Sequence, residues 1–448
     1  MMKPIFAALG AVAMVVATSA CPAQTPEAPA QDPMAALVEM ALTHNPAIAA
    51  QRQKVAAALD RLPQAKALPD PTADVELMML SVNHFNAGDA LSKGVSIGLT
   101  QELPYPGKRK LREEKARRQV AVAQADLRAM ESELRGEVKA AAYGYALNLR
   151  LLELNDQTTD ALKAAAKGAM ALYASGGGTQ TDVLLAQTAV TQAHKERLDL
   201  VEEREIAAAR LTDLLGGSLD RSLLRRIDIP KPAEEPSLDG LLNELDAEAP
   251  RIAAARAREQ VEERRVAIAR QDFKPDFIVG GRYRHNDVTM GGGDYLTAMV
   301  GITLPFFHRK DRYLPALDEA LADQEGAKQE TAGVMNQVRY DLTQAWQTAS
   351  RDRAVFELFQ NGLLIQAKQA YESSLASYGV GKTDFTTLLN TLAGYYGDQR
   401  QTLMAQADFQ VALARIEAIL GAPSSRAAFR EGAGRPTVTP QEKKEHGE

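Results

Sequence analysis

The sequence predicts a mainly α chain in which one long helical hairpin occurs twice, with four β-strands as a smaller second component. Three observations carry that expectation: a proline-free run from Gly107 to Ile229 broken only by a glycine cluster, a set of landmarks that recurs about 200 residues later, and four short stretches in which apolar and polar residues alternate.

Proline is nearly forbidden inside helices, and the Gly107 to Ile229 run is rich in Ala, Leu, Glu, Gln and Arg. Its one interruption is the turn Tyr173-Ala174-Ser175-Gly176-Gly177-Gly178-Thr179-Gln180-Thr181-Asp182. Two long helices folded back on each other account for this pattern. A continuous helix from Arg109 to Leu172 would extend roughly 95 Å at about 1.5 Å per residue, more than a globular core needs.

The same object is read a second time. Asn45-Pro46 recurs as Ala249-Pro250, Pro71 as Pro275, and Leu103-Pro104-Tyr105 as Leu304-Pro305-Phe306. Tyr173-x-x-Gly176 recurs as Tyr378-x-x-Gly381, and Leu214-Leu215-Gly216 as Ile419-Leu420-Gly421. The order is kept at offsets of 201 to 205 residues. That period is far above the roughly 20 to 50 residues of a solenoid unit and points to a duplicated domain.

The strands follow from a change of period. In Thr72 to Leu80, Ala73, Val75, Leu77 and Met79 share one face, and Thr72, Asp74, Glu76 and Met78 the other. In Val95 to Leu103, Val95, Ile97, Leu99 and Leu103 alternate with Ser96, Gly98, Thr100 and Glu102. Phe277, Val279 and Tyr283 alternate with Asp276, Arg282 and Arg284, and Leu296 to Leu304 alternates likewise. Strands of about ten residues suit a half-buried soluble hairpin or a tilted membrane-spanning strand. Four strands do not close a barrel alone, and open edges are not tolerated in hydrocarbon, so a membrane-spanning reading requires an oligomer.

The chain divides accordingly. Residues 1–20 have the Met-Met-Lys start, apolar run and small-residue end of a secretory signal. Residues 21–33 form a leader rich in Pro, Ala and Gln, 34–216 the first repeat, 217–238 an extended linker, 239–422 the second repeat, and 423–448 a tail expected to be disordered. Cys21, the only cysteine, excludes an internal disulfide and stands where a lipoprotein cleavage site would place a lipidated residue; ordinary cleavage after Ala20 or Ala23 is the alternative.

Composition narrows the function classes. The 448 residues are 45% hydrophobic and 25% charged with a net charge of −6, which does not favour a nucleic-acid partner. The six histidines show no metal-ligand spacing, and no phosphate-binding loop or nucleophile elbow is present. No enzymatic activity and no cofactor are expected.

These features together resemble the TolC-like outer-membrane efflux proteins of Gram-negative bacteria. The carriers are the duplicated Tyr-x-x-Gly turns, the stretch Leu103-Pro104-Tyr105-Pro106-Gly107-Lys108-Arg109, its partner Leu304-Pro305-Phe306 and the two Leu-Gly endings, over about Met34 to Gly421. The resemblance implies a homotrimer whose chains each give four strands to a transmembrane 12-stranded β-barrel, set on an α-helical tunnel through the periplasm. It implies an exit duct in the outer membrane lipid, served by a periplasmic adaptor protein and an inner-membrane pump. Pro69-Asp70-Pro71, Met78-Met79 and the Leu103 to Arg109 stretch resemble the heavy-metal exporter subgroup, and thioethers suit Cu(I) or Ag(I). A periplasmic adaptor or coiled-coil scaffold is the alternative, although an adaptor usually has one hairpin.

The resemblance also implies a gate at the periplasmic tip, formed by the two turns at Tyr173, Gly176, Tyr378 and Gly381. Asp182 and Tyr378 take the positions of its polar link. Thr383 stands where a basic residue is expected, beside Lys382; Thr387 and Asn390 stand where an acidic ring is expected, with Asp384 the nearest carboxylate.

Overall fold

The structure, a computed structural model, describes residues 32–77, 94–234, 236–286 and 293–421. Cys21, Met78 and Met79 lie outside the described residues, so the lipidation and thioether readings are not addressed by it.

Helix α1 (Pro33–His44) hands over to α2 (Pro46–Lys66) at Asn45, whose side-chain Oδ1 accepts the amides of Ala47 and Ile48 while Pro46 occupies the first helical position. The strands β1 (Thr72–Leu77) and β2 (Gly94–Leu103) follow, then α3 (Lys108–Ala174) and α4 (Gln180–Leu214). Helix α3 has 67 residues, about 100 Å of rise. The second half gives α6 (Leu238–Glu248), α7 (Pro250–Gln271), β3 (Phe277–Asn286), β4 (Gly293–Ile302), α8 (Leu314–Leu358), α9 (Leu364–Gly379) and α10 (Phe385–Leu420).

Two expectations are corrected. The stretch between the halves is not wholly extended, because Asp220 caps a single turn, α5 (Arg221–Leu224), that buries Leu224 in the first-half core. The helical pattern that returns past Leu304-Pro305 is not α-helical from its start. It begins with a 3₁₀ turn (Pro305–His308) and a π turn (Arg309–Tyr313), and a second π turn (Phe359–Leu363) separates α8 from α9. The repeat offset grows from 201 at Leu103/Leu304 to 205 at Tyr173/Tyr378, so the second copy carries four extra residues over this span. Each of the two π turns, with its i→i+5 bond, takes up about one added residue without breaking the helix axis.

The cores are made where the helical stripes meet. Val138, Ala142 and Tyr145 of α3 pack with Leu37, Leu211 and Leu215, and Val338, Leu342 and Ala349 of α8 pack with Leu245, Ile252, Phe409 and Ile416. Much of the buried surface is alanine, which allows close helix approach at the expense of apolar area per residue. Both Leu-Gly endings have a physical reason. Gly216 (φ +78°) and Gly421 (φ +81°) end α4 and α10 in the left-handed conformation, and a Cβ on Gly216 would strike the carbonyl of His44.

The four strands form one antiparallel sheet in the order β1-β2-β3-β4. Strands β2 and β3 join the two halves over ten residue pairs, from Gly94↔Asn286 to Leu103↔Phe277. Strands β1 and β4 are the edges of this sheet. All four helical connections leave from the rim at Thr72, Leu103, Phe277 and Ile302.

Candidate functional site

The sheet register sorts the side chains into two faces. Val75, Ile97, Tyr283 and Leu296 form one transverse row, flanked by rows containing Leu99 and Ala298, and Val279 and Val300. This apolar face is the exposed one: Leu296 is 84% and Val300 79% accessible. In a water-soluble sheet such rows would be covered, and four adjacent strands presenting them outward make a patch that demands an apolar surrounding.

The opposite face is polar and internally paired. Arg282 of β3 reaches across β2 to β1, where it donates to Asp74 at 2.6 Å and pairs with Glu76. The passage is open because Gly98 stands directly between Asp74 and Arg282 in the register; a Cβ there would collide with the Asp74 carboxylate. Ser96, fully buried, donates to Glu76 at 3.2 Å. Alternation therefore places an arginine and two carboxylates on one face and a mainly apolar surface on the other, interrupted by Gln101 and by the His285–Asp294 pair away from the rim.

Where the sheet meets the helices, the stretch Leu103 to Arg109 becomes a joint. Gly107 (φ +101°) turns the chain into α3, a conformation that disfavours any side chain. Lys108 follows with its side chain 4% exposed, donating to Asp276 at 2.9 Å and to the Lys274 carbonyl at 3.0 Å, with Asp272 at 3.6 Å. Asp276 also accepts the Tyr105 amide at 2.7 Å, and the Tyr105 ring stacks on Phe277. The joint ties the first copy to the second across more than 160 residues of sequence.

At the far end both hairpin tips share one core of Ala165, Ala169 and Ala186 with Tyr378, Phe385 and Leu388. The Tyr-x-x-Gly motif is a helix C-cap. Gly176 donates to Tyr173 and Gly177 to Leu172, and likewise Gly381 to Tyr378 and Lys382 to Ser377, with both glycines at positive φ. This is the paired 6→1 and 5→2 bonding of a Schellman end.

The polar residues of the tip are capping groups within the chain. Thr179 and Asp182 form a reciprocal capping box on α4: the Asp182 amide donates to Thr179 Oγ1, and Asp182 Oδ2 accepts the Thr179 amide. In the second tip the pair is inverted, since Asp384 is the cap and accepts the Thr387 amide at 2.6 Å. The hydroxyl and amide of Thr387 hold the Asp384 carboxyl below its usual range.

The hydrogen bond expected from Tyr378 to Asp182 is absent within the chain. The Tyr378 hydroxyl is enclosed and has no partner among the described residues. Burial first, and the nearby Asp182 charge second, push this phenol above its ordinary value. Lys382 makes no ion pair among the described residues, and Tyr173 is half exposed.

Sequence reasoning singled out the tip residues and missed Arg282 and the Lys108–Asp276 pair. The signals present were the odd arginine on a strand's polar face and the Pro-Asp and Gly-Lys steps at corresponding strand ends. Among the described residues no group of three His, Cys, Asp or Glu side chains is arranged to hold a metal, and no helix is long and apolar enough to cross a membrane.

Comparison with known proteins bears on this arrangement. The model of the family described as Outer membrane efflux protein matches residues 37–217 and 241–422. The fusaric acid resistance protein FusA of Burkholderia cepacia is 28% identical over 47% of this chain, a stretch that spans 42% of FusA. The cobalt-zinc-cadmium resistance protein CzcC of Cupriavidus metallidurans is 22% identical over 70% of this chain and 74% of its own length. Among solved structures, the outer membrane protein VceC of Vibrio cholerae superimposes with a TM-score of 0.72 at 20% identity, covering 87% of this chain and 97% of VceC.

Proposed function

The chain belongs to the outer membrane efflux protein family, and from that premise we propose that three copies assemble into the passive exit duct of a tripartite efflux system. Family membership places the protein in the outer membrane and makes it an efflux protein. It also sets aside the adaptor and scaffold alternative, because the match covers both halves.

The observation that carries the proposal is the exposed apolar face of the sheet, backed by a polar face that is already ion-paired. Membrane-spanning strands must face lipid with one side and leave no free edge. Edges β1 and β4 of one chain can be satisfied only by neighbours, and three chains give a closed 12-stranded barrel with Arg282, Asp74 and Glu76 inside. The helices then continue as a tunnel ending at the hairpin tips, where a periplasmic adaptor and an inner-membrane pump would dock. No step of this reading calls for catalysis.

Two expected results test it. Detergent-solubilised protein from the outer-membrane fraction should sediment as a trimer that runs as a heat-modifiable band, whereas a monomer conducting nothing in planar bilayers would refute the duct. Replacing Arg282 with glutamine should leave Asp74 and Glu76 unpaired in the lumen, so the permeability ratio of K⁺ to Cl⁻ should rise roughly two-fold or more. Unchanged reversal potentials would show that this cluster does not face the permeation path.

As cargo we propose heavy-metal cations, supported by the subgroup resemblance and the similarity to CzcC. Similarity to FusA favours a small organic acid instead. Resistance of a deletion strain complemented with this chain, scored against Co²⁺, Zn²⁺, Cd²⁺, Cu⁺ and fusaric acid, separates the two.

A further inference from the structure

We propose that the barrel–tunnel joint carries a binding site for the headgroup of an anionic phospholipid from the periplasmic leaflet of the outer membrane. The proposal rests on the outer-membrane barrel reading and names a lipid class and a site within it. A cavity of about 450 Å³ opens at the rim where β4 ends, lined by Arg270, Phe273, Lys274, Ile302, Phe306 and Arg309.

Its two halves have different chemistry. Ile302 ends the row Leu103–Phe277–Ile302 and, with Val300 and Leu296, continues the exposed apolar face of β4 away from the rim. Acyl chains lying along that face would place their headgroup at the cavity mouth. There the rings of Phe306 and Phe307 are exposed and in tilted contact, with centroids 4.4 Å apart, as aromatic residues at a membrane–water boundary are.

The polar half is basic. Arg270, Lys274 and Arg309 make no ion pair among the described residues, in a chain whose net charge is −6 and in which many other arginines are paired. Two carboxylates close to Arg270 and Lys274 in the chain, Asp272 and Asp276, are both paired with Lys108. The Arg309 guanidinium lies 5.8 Å from the centre of the Phe273 ring, which orients it without neutralising it. Lys310 and Arg312 follow Arg309 in sequence, with Asp311 the one carboxylate between them, and the Arg312 guanidinium lies 5.5 Å from the centre of the Tyr313 ring. Three unpaired cations beside an apolar strand face, at headgroup depth, match a phosphodiester with no compensating amine better than a zwitterionic headgroup.

Strand β4 is an edge, so a neighbouring protomer is the rival occupant. The test uses the purified trimer in nanodiscs of phosphatidylethanolamine with a minor fraction of phosphatidylglycerol, and counts retained lipids by native mass spectrometry. The wild type should retain phosphatidylglycerol in preference. The triple variant Arg270→Gln, Lys274→Gln, Arg309→Gln should bind it roughly a hundred-fold more weakly, about a factor of five per cation. The charge-preserving variant Arg270→Lys, Arg309→Lys should keep the preference, which guards against a folding defect in the glutamine variant.

Equal retention of both lipids by the wild type, or undiminished retention by the triple variant, overturns the site. So does a triple variant that loses trimer stability with lipid retention unchanged, because the neighbour then fills the cavity. A conducting wild-type trimer without lipid preference removes this proposal alone, whereas protein that neither conducts nor retains lipid removes the channel reading with it.

Discussion

Lys108→Ala should be the most damaging single substitution at the joint between sheet and helices, lowering stability by about 3 to 5 kcal/mol. The lysine side chain is 4% exposed and Asp276 18%, so removing the cation leaves a largely desolvated carboxylate facing Asp272 with no counter-charge. Surface ion pairs of this chain, such as Arg117–Glu113, should by contrast contribute far less, because water screens them. The loss at Lys108 should appear as an assembly defect, since this residue ties the first copy to the turn that starts β3 in the second. The heat-resistant oligomer should disappear at lower temperature, and Lys108→Met combined with Asp276→Asn should recover part of the loss by removing both charges. If Lys108→Ala melts and assembles like the wild type, the joint is held by the Tyr105–Phe277 stack and strand pairing instead.

Opening of the periplasmic tip is the second large effect expected. Within one chain Asp182 is engaged as a helix cap and the Tyr378 hydroxyl has no partner among the described residues, so the link we propose is one made between neighbouring chains when the tips close around the pore axis. There the phenol would donate to the free oxygen of an Asp182 carboxylate. A charged hydrogen bond of this kind contributes about 1.5 to 3 kcal/mol, and three symmetry-related copies bias the closed state strongly.

Tyr378→Phe isolates the link, because it leaves the capping box and the Tyr378–Phe385 packing in place. Asp182→Ala also removes a cap, costing on the order of 1 kcal/mol locally. Both substitutions together should raise single-channel conductance clearly. A properly assembled trimer that stays mostly closed would show that Asp182 is a cap and nothing more.

The latch should also hold across neutral pH. The folded phenol is raised above its ordinary value, so its contribution is fully present below about pH 10 and is lost only as pH rises through the higher folded value. Conductance that rises between pH 7 and 9 would argue against a Tyr378 donor.

Much of this was legible from local patterns. The duplicated hairpins, the alternation in the strands and the Tyr-x-x-Gly ends depend on contacts within a few residues, and such contacts leave a period in the sequence. The C-cap shows why the motif has its spacing: glycine supplies the left-handed φ three residues after the tyrosine carbonyl it caps. The four extra residues of the second copy were visible in the offsets, but not the two π turns that take up part of them, because either a loop or a wider helical turn would fit the count.

By itself the sequence determined the duplication, the helical and extended segments, the apolar and polar faces of each strand, and the need for a partner at the sheet edges. Only the tertiary structure decided which strands pair, that Arg282 passes over Gly98 to Asp74 and Glu76, that Lys108 is buried against Asp276, and that Asp182 and Asp384 are spent on helix caps. The physical reason is distance along the chain. Arg282 and Asp74 are 208 residues apart and Lys108 and Asp276 168, and no periodicity links positions so remote. Their pairing follows from the registers of β1 on β2 and of β2 on β3, which bring the two copies side by side.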